Sequence, residues 1–343
     1  MLTISQVAKI AGVSVATISR VLNDSPLVTE NTKRHVQKVI DELDYHPNVV
    51  ARSLRSAKSR LLLALVPNIS NPFHAEIVHG INKVVYAHDY NLLLCETHGI
   101  REREDAFFSM LKQKIVDGIL AIDPAVSADN LLEYGARYPI IQCCEYKKVP
   151  DLPYVVIDDE EGAFAAVSHL VATGCRRIAM VNASGPFGFA RLRREGYLRA
   201  LRSHGLAPDP SLVIEYDIGG DSGEMVAKRL MDLSERADGV FFDYDVIAVG
   251  AQRALIEAGI RVPEDISIVG FDGSDMTLIC TPTLTTIAQP AYQIGLKSAE
   301  MLFTLLEGKS LEQRKVILDF ELKIRQSTRR VERKLEQKVF QPS

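Results

Sequence analysis

Residues 12–26 read GVSVATISRVLNDSP, and their polar side chains repeat at helical spacing. Val13, Ile18, Val21 and Leu22 recur on one side of that helix and are expected to pack inward. The side chains left on or near the surface are Val15, Ala16, Thr17, Ser19 and Arg20. A guanidinium fork matches O6 and N7 of guanine, whereas hydroxyl groups suit phosphate oxygens. This face is therefore typical of a surface that contacts DNA.

The neighbouring segments predict the elements that position this face. Thr3 and Gln6 have the spacing of a capping box, which predicts a first helix that ends at Gly12. Ser14 can cap the second helix, and a third helix is expected from Thr29. Two short helices about a glycine turn, followed by a supporting helix, predict a helix-turn-helix unit. A small helical bundle without a ligand is the alternative.

Residues 45–60, YHPNVVARSLRSAKSR, favour the first interpretation. Asn48 can cap a short helix, but its apolar residues are too few to stabilise that helix alone. Arginines and lysines surround Leu54, and an apolar side chain among cations suits insertion between base pairs in the minor groove. The segment is expected to become helical on DNA.

Composition and charge agree with this division. The net charge of −4 combines a first segment of 60 residues at +4 with a remainder at −8. Hydrophobic residues make up 47% of the 343 residues, enough for two or three folded units. Five irregularly spaced cysteines indicate neither a disulfide framework nor a zinc site. With no signal peptide or membrane-spanning run in view, the expected location is the cytoplasm, associated with the nucleoid.

The rest of the chain alternates short apolar runs with helical stretches. Strands are expected at 61–66, 91–96, 118–122, 140–144, 177–182, 212–216, 239–243 and 266–270, with helices near 73–88, 102–114 and 127–136. Buried runs of this kind are typical of parallel sheets covered by helices. Two successive α/β units predict two lobes with a ligand cleft between them, at the carboxyl ends of the strands.

The motifs together resemble the lactose-repressor (LacI/GalR) family of bacterial transcription regulators. The first 60 residues carry ISQVAKIAGVSVATISRVLN, VTENTKRHVQKVIDELDYHPN and ARSLRS. The body carries VPNISNPFHAEIVHGI, DGILAI, RIAMVN, ARLRREGYLRAL, RVPEDISIVGFD and TPTLTTIAQP, so the resemblance covers roughly residues 2–328. It implies an all-α headpiece with a hinge helix, followed by a bilobed α/β domain of the type I periplasmic-binding-protein fold. It also implies a homodimer that binds a palindromic operator and is controlled by a small-molecule effector.

The resemblance assigns DNA-contacting positions. Val15, Ala16 and Arg20 occupy base-reading positions, Leu54 matches an intercalating hinge leucine, and Ala51 packs beside it. The remaining expected contacts to phosphate, or helix caps, are Thr3, Ser14, Thr17, Ser19, Asn23, Thr32, His35 and Asn48.

Arg193 and Asp272 match an arginine and an aspartate that grip polar effector groups in that family. A mutual salt bridge that closes the lobes is the alternative role for this pair. The further expected effector contacts are Asn71, Phe73, Asp123, Glu145, Phe189, Tyr244 and Gln289. A sugar is the expected effector. Because the chain has no tryptophan, has Ile218 where an aromatic is common and has Tyr244 before Asp245, a nucleoside or purine stays open.

The resemblance also sets predicted domain bounds. They are a headpiece over 1–47, a hinge helix and linker over 48–59, an effector-binding and dimerisation domain over 60–328, and a tail over 329–343. The first lobe is expected to take 60–157 with 292–320, and the second 158–291 with 321–328. The sequence has none of the common hydrolase, phosphate-loop, zinc-protease or dinucleotide motifs, so no catalysis, metal or cofactor is expected. A transport protein of the same fold is a weaker alternative, because it would lack the basic headpiece. Activator and repressor roles are not distinguished.

Overall fold

The computed structural model describes residues 2–22, 24–45, 58–185, 187–218 and 220–330. The chain divides into two compact units, Met1–Ser59 and Arg60–Ser343. Several predicted positions lie outside the described residues: Asn23, Asn48, Ala51, Leu54, most of the hinge and the tail beyond residue 330. The finer domain bounds stay a prediction.

The first unit is a small helical fold. Helices α1 (Ile4–Ile10), α2 (Val15–Leu22) and α3 (Glu30–Glu42) enclose one apolar core. Thr3 and Gln6 form the expected capping box, with each side chain bonded to the backbone of the other. Gly12 has φ +65°, a conformation that favours glycine, and it joins α1 to α2. The predicted helix-turn-helix is confirmed.

The second unit contains twelve described strands. They are β1 (Leu61–Val66), β2 (Asn91–Glu96), β3 (Gly118–Ile122), β4 (Ile140–Cys143), β5 (Tyr154–Ile157), β6 (Ile178–Ala183), β7 (Val213–Tyr216), β8 (Gly239–Phe242), β9 (Ser267–Asp272), β10 (Thr285–Ala288), β11 (Lys315–Leu318) and β12 (Glu321–Lys323). Its described helices are α4 (Pro72–Ala87), α5 (Arg101–Lys112), α6 (Ala128–Gly135), α7 (Asp159–Ala172), α8 (Gly188–Ser203), α9 (Gly223–Met231), α10 (Asp245–Glu257), α11 (Met276–Ile279) and α12 (Ala291–Leu306).

These strands form two six-stranded sheets with related topology. The first has the order β11-β5-β4-β3-β1-β2, and the second has the order β12-β10-β9-β8-β6-β7. All pairs are parallel except β10 with β12. Both sheets share the order 2-1-3-4-5 in their first five strands, which is a doubly wound arrangement. The expected α/β fold with two parallel sheets is confirmed.

The chain passes between the sheets three times. It leaves the first sheet after β5, returns through α12 to β11, and crosses again to β12. One apolar core cluster contains buried side chains from both sheets, including Leu62 and Ile122 of the first and Phe241 and Phe271 of the second. Among the described helices, none is both long and apolar enough to cross a membrane.

Two glycines let α12 lie against α4. A methyl group on Gly80 would overlap the carbonyl oxygen of Tyr292, and one on Gly295 would overlap that of Ile77. Backbone cannot yield as a flexible side chain does, so only glycine fits at this crossing. The close approach fixes the start of the crossover helix beside the middle of α4, next to the candidate site residues in the first turns of α4.

Gly295→Ala is expected to lower the free energy of unfolding by about 1–3 kcal/mol, because the added methyl group overpacks the crossing. Helix propensity alone would favour alanine by about 1 kcal/mol and raise the free energy of unfolding. The sign of the measured change therefore distinguishes overpacking from helix propensity. Chemical denaturation measures the change, with exposed Gly220→Ala as the control. An increase in stability for Gly295→Ala would contradict the close packing of α4 and α12.

Candidate functional site

The exposed face of α2 has the arrangement expected from the sequence. Ile18 and Val21 are buried, whereas Val15, Ala16 and Arg20 are exposed. Ser14 caps the helix: its Oγ accepts a hydrogen bond from the Thr17 backbone N–H at 3.1 Å, and its hydroxyl lies 2.9 Å from that of Thr17. The first turn is thus held by hydroxyl groups, and the side chains of Val15, Ala16 and Arg20 remain exposed on the surface.

Other predicted contact residues have structural roles within the same unit. The His35 Nε2 atom lies 3.0 Å from the carbonyl oxygen of Ala11, so it joins α3 to the end of α1. Thr32 donates its backbone N–H to the Thr29 hydroxyl at 3.4 Å, and Thr29 is the cap of α3. Thr3 caps α1. These residues fix the ends of α1 and α3, the two helices that share one apolar core with α2.

A second group of polar residues lies where strands of the two sheets end. Asp123 follows β3, Glu145 lies two residues beyond β4, Asp243 follows β8, and Asp272 ends β9. The ends of β1 and β3, and of β6 and β8, are the points where strand order reverses in these sheets. Ligands of doubly wound folds bind at such points. Asp123 and Asp272 have φ of +47° and +115°, so their backbones are strained at this position.

Arg193 on α8 is the centre of this polar cluster. Its Nε and Nη2 atoms each lie 2.8 Å from Oδ1 of Asp159, the first residue of α7. Its Nη1 donates to the carbonyl oxygen of Asp243 at 2.5 Å and lies 3.8 Å from Asp272 Oδ1. The guanidinium carbon is 3.7 Å from the ring centre of Phe271. These partners hold the side chain in one orientation.

The expected alternative, a salt bridge between Arg193 and Asp272 that closes the lobes, needs a correction. The distance of 3.8 Å is longer than the contacts with Asp159. Arg193 lies on α8, which follows β6, and Asp272 ends β9, and both of these strands belong to the second sheet. The contact therefore lies within one lobe. A different pair joins the two lobes.

That pair is Glu145 and Gly188. The backbone N–H of Gly188, at the start of α8, donates to Glu145 Oε1 at 2.6 Å, while Lys147 Nζ lies 3.6 Å from the same oxygen. Glu145 lies in the loop after β4 of the first sheet, and Gly188 lies at the end of the loop after β6 of the second sheet. Burial raises the pKa of the Glu145 carboxyl to about 7, and the nearby charge of Asp123 adds to the effect. A carboxyl group thus links the two sides of the cleft.

Four further predicted effector contacts are Gln289, Asn71, Phe189 and Tyr244. Gln289 donates its amide N–H to Asp272 Oδ1 at 2.9 Å, and Asn71 caps α4 by accepting from the Phe73 backbone N–H at 2.9 Å. The ring of Phe189 lies 5.0 Å from the Arg193 guanidinium carbon. Tyr244 precedes α10, and burial raises its pKa.

A cavity of about 380 Å³ lies between the start of α4, the end of β9 and the start of α12. Its lining includes Phe73, Glu76, Asp272, Gln289 and Tyr292. Volumes of 300–1,000 Å³ are typical of small-molecule sites. Three of the predicted effector contacts, Phe73, Asp272 and Gln289, therefore border one cavity.

Sequence reasoning missed some members of this cluster. Asp159 is the closest carboxylate to Arg193, and its signal was its position as the second of two carboxylates after the apolar run VVI. His74 was set aside because its spacing from His79 did not suit a metal, yet its Nε2 lies 3.1 Å from Asp123 Oδ2. The signal for His74 was its position at the first turn after β1. The carboxylate of Asp243 accepts hydrogen bonds from the Ala183 backbone N–H and the Tyr216 hydroxyl.

This architecture is a helix-turn-helix unit in one chain with a two-lobed binding domain, and it matches known families over both parts. Residues 3–48 match the model of bacterial regulatory proteins, lacI family, and residues 167–328 match the periplasmic binding protein-like domain. The HTH-type transcriptional repressor CytR of Escherichia coli (strain K12) is 34% identical over 328 residues, which cover 95% of this chain and 96% of that protein.

Two solved structures extend the comparison. The lac repressor dimer bound to operator and the anti-inducer ONPF has a TM-score of 0.83 at 26% identity, over 96% of this chain and 99% of that one. The transcriptional regulator CelR in complex with cellobiose has a TM-score of 0.71 at 29% identity, over 95% of this chain and 100% of that one. The chain belongs to the LacI family of DNA-binding transcriptional regulators. Members of this family are regulators and not enzymes, which confirms the expectation of no catalysis.

Arg20→Ala is expected to weaken specific DNA binding by about 10- to 150-fold, because one bidentate base contact contributes about 1–3 kcal/mol of discrimination. Fluorescence anisotropy with a specific site and a scrambled duplex measures the change. The control is Arg202→Ala, which removes an exposed arginine from α8. An equal loss on both duplexes would indicate a phosphate contact, and no loss would remove Arg20 from the interface.

Proposed function

We propose that the chain is a cytoplasmic, homodimeric repressor that binds a palindromic operator and responds to a sugar in the cleft between its lobes. The observation that carries this proposal is the cavity bordered by Asp272 and Gln289, with Arg193 behind them. The carboxylate of Asp272 and the amide of Gln289 offer hydrogen-bonding groups at fixed positions, and Arg193, whose nitrogens are directed to Asp159, Asp243 and Asp272, holds the wall behind them. Such a set suits the paired hydroxyl groups of a sugar.

The comparisons support a sugar without naming one. CelR, which has the same fold over nearly the whole chain, is a cellobiose complex. In the present cleft the Phe73 ring borders the cavity and can pack against the apolar face of a sugar ring. A nucleoside is the second candidate, because Phe73 and Tyr292 supply two aromatic side chains to the same cavity.

The DNA contacts in this proposal follow the surface of α2. Val15 and Ala16 make apolar contacts with bases, Arg20 reads guanine, and Ser14, Thr17 and Ser19 lie toward phosphates. In the hinge, outside the described residues, Leu54 enters the minor groove with its copy from the second subunit. The operator is therefore expected to be a palindrome with a kinked centre.

The allosteric step in this proposal is a change in the lobe contact made by Glu145 and Gly188. An effector that binds one lobe arrangement more tightly than the other shifts the population of the two. The hinge segments follow that shift, and operator affinity changes by the same coupling free energy, typically about 1–3 kcal/mol. Release of DNA would make the effector an inducer, and tighter binding would make it a corepressor.

The test measures the affinity of the purified protein for the DNA upstream of its own gene. The measurement is made with and without each compound of a panel of sugars and nucleosides. One compound is expected to change the operator affinity about 5- to 150-fold. Asp272→Asn, the mildest change at a positive φ, is expected to raise the compound concentration needed for half of this effect at least about tenfold. Asp232→Asn on the surface is the control. A response that is the same in Asp272→Asn and in the control would contradict this site.

A further inference from the structure

The cavity has an unbalanced charge. Glu76, Asp272 and Asp275 line it, and the described residues of its lining include no lysine or arginine. The other polar groups there, Ser274, Gln289 and Gln293, are neutral. An entering ligand therefore meets carboxylates and neutral donors before it meets any cation.

The groups behind the cavity add further carboxylates and do not neutralise the charge of its lining. Asp123, Glu145 and Asp159 lie close enough that the charge of Asp123 raises the pKa of both other carboxyls. Asp243 and Asp272 are likewise close enough for Asp243 to raise the pKa of Asp272. All of these except Asp123 are nearly or fully buried.

The nearby cations already have carboxylate partners. Arg193 directs Nε and Nη2 to Asp159 and its remaining nitrogen to Asp243 and Asp272. Lys147 lies 3.6 Å from Glu145. An anionic ligand could recruit either cation only by leaving a buried carboxylate without its partner, and that exchange is unfavourable in a low-dielectric interior.

From this arrangement we infer that the effector is a polyhydroxylated compound without an anionic group and that phosphorylated or carboxylated forms of it are rejected. The inference rests on the proposed function, because it assigns the effector's charge class to the same cleft. Hydroxyl groups donate to carboxylates without adding negative charge, so a neutral sugar or nucleoside satisfies the cavity. A phosphate group of the same compound would enter a cavity lined by the exposed carboxylates of Glu76 and Asp275, and juxtaposed like charges strongly reduce affinity.

The first experiment uses a small-molecule extract of the cells that naturally produce the protein, separated on an anion-exchange resin. The unbound fraction holds neutral and cationic compounds, and the salt eluate, after desalting, holds the anions. Each fraction is added to the full-length protein on its operator DNA, and the operator affinity is measured by fluorescence anisotropy. The unbound fraction is expected to change the affinity, and the eluate is not.

The second experiment uses matched compounds. A sugar and its phosphate ester, and a nucleoside and its monophosphate, are compared by calorimetry and by their effect on operator affinity. The phosphorylated member of each active pair is expected to bind at least about 100-fold more weakly. Glu76→Lys places a cation on the exposed part of the lining. It is expected to reduce the ratio of the two affinities, parent compound over phosphate ester, at least about tenfold. Lys83→Gln, on the same helix but outside the cavity lining, is the control.

The outcomes separate the two claims. Activity in the anionic eluate, or a phosphate ester that binds as tightly as its parent, would overturn the charge assignment and leave the proposed function standing. A ratio unchanged by Glu76→Lys would show that the cavity carboxylates do not set the selectivity. If neither fraction and no compound changes operator affinity, then the proposed effector response itself is wrong, and the charge assignment is overturned with it.

Discussion

The cleft depends on how the molecule compensates a group of buried carboxylates. Asp159, Asp243 and Asp272 surround the guanidinium of Arg193, and that one side chain contacts all three residues. Buried charges are costly unless partners and hydrogen bonds satisfy them. The backbone N–H groups of Ala183, Gly188 and Gly273 supply further donors to Asp243, Glu145 and Asp245. The walls of the cleft are therefore held in place by charge compensation as well as by packing.

Strand order explains why these groups meet. The strand order reverses between β1 and β3 in the first sheet and between β6 and β8 in the second. The loops that follow these strands therefore diverge and open a crevice at the carboxyl ends of the strands. The crossover helix α12 returns beside α4, and Gly80 and Gly295 permit the close approach. Gln289 precedes this helix and bonds to Asp272, which ends β9. Backbone connectivity thus places residues from distant parts of the sequence on one cavity.

Much of the fold could be predicted because apolar runs such as LLLALV and GILAI carry a strong local signal. Strands β5, β10, β11 and β12 were missed: all four are only three or four residues long, and β10 buries the polar residues Thr285 and Thr286. The ends of β3, β4 and β9 pointed to Asp123, Glu145 and Asp272. The pairing of Arg193 with Asp159 could not be read from the sequence, since the two residues are 34 apart and meet only through tertiary packing.

The most direct test of this account is the unfolding free energy of the protein from pH 5 to pH 8. Burial raises the pKa of Glu145 to about 7 and that of Asp243 to about 6, so the folded state binds protons that the unfolded state has released. These two groups therefore make the folded state less stable as the pH rises across this range, whereas buried His169, whose pKa is lowered, contributes in the opposite direction. Glu145→Gln keeps an acceptor for Gly188 without the charge, and should reduce that fall by up to about 3 kcal/mol. Exposed Glu102→Gln is the control. A fall that is the same in wild type and Glu145→Gln would contradict the claim that burial in this cleft raises the pKa of the Glu145 carboxyl.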